Sequence, residues 1–391
     1  MPTRRTFLRL STLAALPPNN SSQSSSPFLA DNPLVRLQFV ADGPLYSPDQ
    51  YLARLQQINQ AQPSQRDAYG RGGTLETLQQ RFAAITGKEA AIYMPSGTMA
   101  NQLAVAVLSG PNTKVFVPET SHLYRDESDA AQAVFGKRLI PLAVGKAYFT
   151  REELQQAIAL EKTHSYFPEF ESGIGAITLE NPVRASDGQY VPLEEIKAIS
   201  AFCRANGYRL HLDGARIYMA AAQTGVSVAE YASYFDTIYI SLYKYLGATG
   251  GAVLCGSKAI IDQMPRLMKV HGGVMYTNWA NAAMALDHLV GLEDRLKRSM
   301  AQAKRLFAQL NQLPGLVIKP IDHGTNVFSM VLPTAVNLAK FRDALLHQHN
   351  IIIGGARPDG TLGLVVNDSL LGWSNDSAVG AFKAALEVSK S

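Results

Sequence analysis

Charge is scarce in this chain. Only 17% of its 391 residues are Asp, Glu, Lys or Arg, and they nearly cancel, leaving a net charge of +4. So small a surplus, with no run of Lys and Arg interleaved with aromatics, argues against a nucleic-acid partner. The two cysteines, Cys203 and Cys255, allow neither a disulfide framework nor a Cys-rich zinc site. They are read as small buried hydrophobes, and no metal is expected. No apolar run reaches the roughly 20 residues of a membrane helix, so no membrane domain is expected. No internal repeat of fixed period is present either. Apolar residues, at 47%, are plentiful. They can build a large core, and the length suggests about two or three domains.

The first 26 residues read differently. MPTRRTFLRLSTLAALPP opens with Arg4, Arg5 and Arg9, runs into a short apolar stretch and leads to the polar linker NNSSQSSS. TRRTFLR resembles a twin-arginine export signal, so the expected location is the periplasm by that route, and otherwise the cytoplasm. Removing three arginines and no acid from a net charge of +4 would leave +1. The positive surplus is thus mostly an address.

From about residue 74 helix-like and strand-like segments alternate. TLETLQQRFAAITG, TMANQLAVAVLSG and VPLEEIKAISAFCRANG carry apolar residues at helical spacing and end on Gly87, Gly110 and Gly207. AAIYM, KVFVPE, GAITLEN, YRLHLDGAR, TIYISLY and GGAVLCG read as short strands. Such alternation means βαβ units and a mostly parallel sheet, an α/β fold. From residue 292 a long amphipathic helix, LEDRLKRSMAQAKRLFAQLNQL, is followed by shorter strands and one more helix, as in a smaller α+β domain. The expected division is therefore 1–26 leader and linker, 27–291 large domain with an N-terminal arm, and 292–391 small domain. Residues 27–72 lack the alternation and are expected to lie against a neighbouring subunit.

Ligands of parallel sheets gather at the carboxyl ends of the strands. Ser96, Gly97 and Thr98 stand there after AAIYMP, His122 after KVFVPETS, Asp213 and Arg216 after YRLHL, and Lys244 after TIYISLY. Ser-Gly-Thr at a helix start is an ordinary cap, or an anion site built from free N–H groups. Asp213 is either the partner of Arg216 or the acid facing a protonated ring nitrogen. Lys244 is either a solvated cation or, if buried, an amine of lowered pKa able to form a Schiff base. Together the three describe what an aldehyde- and phosphate-bearing pyridine needs, and that cofactor is pyridoxal 5′-phosphate (PLP). His211, alternating with apolar neighbours, reads as a satisfied core histidine. His347 and His349 read as a solvated helix end. Tyr69 either reaches a phosphate or a neighbouring subunit, or packs.

The segments DAYGRGGTLETLQQRFAAITGKEAAIYMPSGTMANQLAV, SHLYRDES, LHLDGARIYMAA and ISLYKYLGATGGAVLCGS, in this order, resemble the threonine aldolase family. That family lies within the β-eliminating lyase group of fold-type-I PLP enzymes. The resemblance covers about residues 35–391. It implies that Lys244 bonds the cofactor aldehyde, Asp213 holds the ring nitrogen, Arg216 contacts the ring hydroxyl, and Gly97, Thr98 and Ser241 hold the phosphate. It implies that His122 lies over the ring as the base, with Glu127 five residues on. For the substrate side it offers Asp42, with Arg184 and Arg357 as carboxylate-binding candidates. It also implies a homodimer or homotetramer acting on a small amino acid. The sequence departs from the family where Pro182 and Val183 follow Glu-Asn, where Tyr243 precedes the lysine, and where Gly363 and Asn367 occupy the last strand. These departures fall on the substrate side and leave the cofactor parts whole. The expected reaction is cleavage of a β-hydroxy amino acid to glycine and an aldehyde. β-Elimination or transamination of another amino acid, and a non-catalytic exported binding protein, are the rivals.

Overall fold

The computed structural model describes residues 36–43, 45–163 and 170–390. A seven-stranded sheet occupies its centre. In chain order β1 (Leu37–Gln38) precedes it, and the sheet holds β2 (Ala90–Met94), β3 (Lys114–Pro118), β4 (Arg138–Leu142), β5 (Ile174–Glu180), β6 (Arg209–Asp213), β7 (Thr237–Ser241) and β8 (Ala252–Gly256). The spatial order is β2-β8-β7-β6-β5-β3-β4. β4, β3, β5, β6 and β7 run parallel, and β8 is antiparallel to both of its neighbours. The strands β3, β7 and β8 are buried along their whole length, as expected of a sheet covered on both faces. Cys203 and Cys255 are buried and free.

The reversal at β8 positions the site. Parallel neighbours need a crossover, which returns the chain at the far end of the sheet. β7 and β8 are antiparallel and adjacent, so residues 242–251 turn back at the same end. Leu242 N–H donates to the Gly251 carbonyl and Ala248 N–H to that of Leu242. Lys244 is therefore held at the edge where β5 ends in Glu180 and β6 in Asp213.

The helices form where their apolar spacing says. Gly73–Thr86 buries Leu75, Leu78 and Phe82 and closes on Gly87 at φ +65°. Leu193–Ala205 buries Ile196, Ile199, Ser200 and Cys203, one face of a helix. The long helix Leu292–Leu310 buries Leu296, Met300, Ala303, Phe307 and Leu310. Beyond it β9 (Val317–Pro320), β10 (Val327–Val331), β11 (Ile351–Ile352) and β12 (Leu362–Val365) follow, with β12-β10-β9 an antiparallel sheet.

β1 does not join the large sheet. It pairs in parallel with β11, Leu37 opposite Ile351. Phe39 then packs against Phe307 and Phe382, with ring centroids 6.0 and 6.4 Å away. Asn367 donates its amide to the Gln38 and Ala41 carbonyls, so it anchors this early segment. Among the described residues no helix is long and apolar enough to cross a membrane.

Candidate active site

The phosphate candidates surround the start of the helix Gly97–Ser109. Ser96 is its N-cap, and the Ser96 hydroxyl accepts from Met99 N–H at 3.2 Å. Gly97 lies against Tyr239: a Cβ there would stand 2.1 Å from the Tyr239 hydroxyl. Only a residue without a side chain fits between the helix start and β7. Ser241, two residues beyond Tyr239 and on the same face of β7, is buried, and its Oγ has no partner in hydrogen-bonding geometry. A buried hydroxyl without a partner is uncommon, and a phosphate oxygen would satisfy it.

Lys244 is 8% exposed. Its Nζ stands 5.3 Å from the centre of the Tyr243 ring and 6.0 Å from that of Tyr239. Burial, followed by the charge of Arg216, lowers its pKa to about 8. Such an amine is partly neutral near pH 7, which is the condition for bonding an aldehyde.

Asp213 ends β6 nearly buried. Its Oδ1 accepts from Ala215 N–H at 3.1 Å and its Oδ2 from the Asn101 amide at 2.8 Å. Arg216 turns instead to the N-terminal segment, where Nε and Nη2 grip Asp42 bidentately at 2.7 and 2.8 Å. Tyr245 Oη donates to the same carboxylate at 3.3 Å. Asp42 thus faces an arginine of the site. Nη1 of Arg216 remains free of Asp42.

His122 begins the short helix His122–Arg125. Its N–H donates to Glu180 Oε2 at 2.7 Å, and its Nδ1 lies 3.0 Å from Oε1 of the buried Glu127. The hydrogen bond to Glu127 raises the imidazole pKa above its ordinary 6.5, against the opposing effect of burial. Glu180 also accepts from Arg184 N–H at 2.8 Å. Burial and then Asp213 push its carboxyl up to about 7.

The two arginine candidates both already hold acids. Arg184, half exposed, reaches Asp126 at 3.2 Å. Arg357 reaches Asp187 at 2.6 Å, and its guanidinium lies where a side chain on residue 363 would start, 2.7 Å from a Cβ built there. Gly363 is therefore the gap that admits Arg357. Asp187, which Arg357 holds, closes the 3₁₀ turn that begins with Arg184.

His347 and His349 stand in the last turn of Leu338–His349, and His347 is exposed beside Asp343. Tyr69 is 58% exposed and packs edge-to-face on Tyr276 at 5.3 Å. Asn101 has the most connections in the site and was not singled out from the sequence, although PSGTMAN contains it. The available signal was one amide among the buried Ala100, Leu103 and Ala104.

An acid at a strand end, a buried lysine on the neighbouring hairpin and a glycine-led helix start define the fold-type-I class of PLP-dependent enzymes. Residues 54–332 match the beta-eliminating lyase family, and the chain belongs to it. The low-specificity L-threonine aldolase of Candida albicans is 32% identical over 240 residues, 61% of this chain and 63% of that protein. The Saccharomyces cerevisiae enzyme of the same description is 34% identical over 227 residues, 56% of each. The chain thus spans less than two thirds of these relatives' length. A crystal structure from Exiguobacterium sp. 255-15, assigned as an aromatic amino acid beta-eliminating lyase/threonine aldolase, superposes with a TM-score of 0.75 at 25% identity. That match covers 91% of this chain and 98% of the other. A Leishmania major threonine aldolase shares the fold, with a TM-score of 0.68, 18% identity and 89% and 98% coverage.

These relatives correct the expected location. The curated relatives from Candida albicans, Saccharomyces cerevisiae and Schizosaccharomyces pombe are described as threonine aldolases, and none as an exported enzyme. Residues 1–26, which carried the twin-arginine reading, lie outside the described residues. The periplasmic placement is withdrawn.

Proposed function

We propose that this chain is a PLP-dependent carbon–carbon lyase of the threonine-aldolase type, cleaving a β-hydroxy amino acid to glycine and an aldehyde. The observation that carries the reading is the buried Lys244, its pKa near 8, held at the strand edge that also presents Asp213. The residues fit the cofactor. Lys244 Nζ takes its aldehyde carbon and Asp213 its ring nitrogen. Ser96, the N–H groups at Gly97 and Thr98, and the unpartnered Ser241 Oγ take its phosphate. Nη1 of Arg216 is available for the ring hydroxyl. When bound, PLP supplies the electron sink that lets a bond to the substrate Cα break.

The chain's own residues do the rest. Glu127 accepts the Nδ1 proton of His122, which leaves Nε2 as the base that takes the substrate hydroxyl proton. With that proton on Nε2 the aldehyde can depart from Cα, and return of one proton from the His122 side of the site to Cα would give glycine and leave the imidazole neutral again. Arg184 and Arg357 bind the substrate carboxylate by exchanging or sharing Asp126 and Asp187. Asp42 serves the site through Arg216. Residues 27–291 form the cofactor-binding unit and 292–391 the smaller one. The exposed Tyr69, Met275 and Tyr276 suit the face of a homodimer or homotetramer.

The first test is the absorbance spectrum of the purified protein before and after borohydride, beside Lys244→Ala. A visible band that is lost on reduction and absent from the variant is the expected result. A colourless protein that takes up no PLP would sink the reading. Release of an aldehyde with glycine then separates aldol cleavage from β-elimination or transamination.

A further inference from the structure

We propose that Asn101 is a positioning residue of this site, whose one side-chain amide ties the acid assigned to the ring nitrogen, Asp213, to the acid that holds His122, Glu127. The inference rests on the PLP reading above and adds a residue to it.

Asn101 is wholly buried on the helix Gly97–Ser109, one turn beyond Gly97. Its Nδ2 donates to Glu127 Oε1 at 2.7 Å and to Asp213 Oδ2 at 2.8 Å. An ionised carboxylate only accepts, so both amide hydrogens must point at the acids and the amide can have only this orientation. Oδ1 is then left as an acceptor, 3.0 Å from His211 Nε2. His211 must therefore carry its proton on Nε2. Its Nδ1 accepts from the Thr237 hydroxyl at 2.8 Å. Burial lowers the His211 pKa to about 4, so the ring stays neutral and the chain of donors keeps one direction, from Thr237 to the two acids.

The arrangement has a physical purpose. Oxygens of Glu127 and Asp213 lie within 4.8 Å of each other and of a ring nitrogen of His122. Two buried carboxylates that close repel each other. The amide hydrogens stand between them and offset the repulsion. Among the described residues only Asn101 and His122 hydrogen-bond the Glu127 side chain, both at Oε1, and its Oε2 is buried without a partner. The charged groups acting on His122 are Glu127, Asp213 and Glu180. Asn101 touches the first two and leaves Glu180 to the His122 backbone.

The test uses the full chain without cofactor and then with it. His122 is titrated by NMR in histidine-labelled protein, assigned by His122→Gln, in wild type, Asn101→Asp and Asn101→Leu. Asn101→Asp places a third acid against the other two. The expected result is an upward shift of the His122 midpoint by roughly one pH unit, with PLP bound at least tenfold more weakly. Asn101→Leu keeps the branched shape and removes both donors, and the same tenfold loss of PLP affinity is expected. Folded variants in which both His122 and PLP affinity match wild type overturn the proposal. Should neither variant fold, Asn101→Ala, which removes both donors and adds no bulk, must still move His122, and no movement overturns the proposal. A wild-type protein that never takes up PLP defeats the functional reading alone, because the His122 titration still reports on Asn101.

Discussion

Lys244 and His122 carry opposite shifts, and each has a measurable consequence. The Lys244 amine must be neutral to capture PLP, and the neutral fraction grows as pH rises through its pKa of about 8. The rate of PLP capture by the cofactor-free chain is expected to climb up to that pH and then level off, measured as growth of the visible band. A rate still climbing tenfold per unit beyond pH 9 would mean an ordinary exposed lysine. His122 must also be neutral to act as base, and Glu127 raises its pKa above 6.5. The acid limb of the kcat/KM profile is therefore expected above that value. Glu127→Gln removes the largest raising influence and leaves burial opposed only by Asp213 and Glu180, so the limb should move to lower pH. Gly97→Ala meets the Tyr239 hydroxyl. It is expected to weaken PLP binding by more than tenfold, checked by equilibrium titration. At this scale the sequence was informative about which residues sit at strand ends, because strand ends follow from periodicity. It offered Arg216 as a partner for Asp213, whereas Arg216 holds Asp42. Arg216 and Asp42 are 174 positions apart, and no local pattern joins them. Without that contact Asp42 reads as a substrate group when it holds an arginine.

At the scale of elements, legibility followed burial. Helices with a buried stripe, such as Leu193–Ala205, announce themselves. The helix Pro48–Ala61 has no buried residue, so it lacks the apolar face that the periodicity argument needs. Its start is marked by a Ser47–Gln50 capping box, a short-range signal within a stretch that otherwise looks irregular. β4 was missed for a related reason. It is an edge strand containing Pro141, and proline within a run speaks against a strand. Elements also differ in what a substitution costs. Ser96→Ala removes an N-cap and is expected to cost about 1 kcal/mol in urea unfolding. Leu306→Ala, in the fully buried face of Leu292–Leu310, is expected to cost about 3 kcal/mol. The second change should leave the visible band intact, since that helix packs away from Lys244.

Over the whole molecule the unexpected feature is the path of residues 37–43. The alternation of helices and strands says nothing of them, and an N-terminal stretch is easily read as an arm. It instead runs beside β11, packs Phe39 among C-terminal aromatics, and delivers Asp42 to Arg216. Gly43 then lies against the Lys244 carbonyl, where a Cβ would stand closer than any real contact. Asp42→Asn should therefore loosen both ends of the molecule. The ion pair is mostly buried, with 13% and 23% of its side chains exposed, and its loss is expected to cost about 2 kcal/mol. The readouts are a lower thermal midpoint and weaker PLP retention together. Full PLP retention in the variant would show that Arg216 keeps its place unaided.

That early segment also sets an order of events during synthesis. Its partners at Ile351, Ile352 and Val365 are made hundreds of positions after it. The helix that opens at Gly97 and the strands that carry Asp213 and Lys244 can all emerge and pair before then. The clamp on Arg216 gains its full support only once β11 has emerged and can meet residues made hundreds of positions earlier, the slow kind of closure. A nascent chain stalled short of β11 would hold nearly every residue of the site and still lack the strand that seats Asp42.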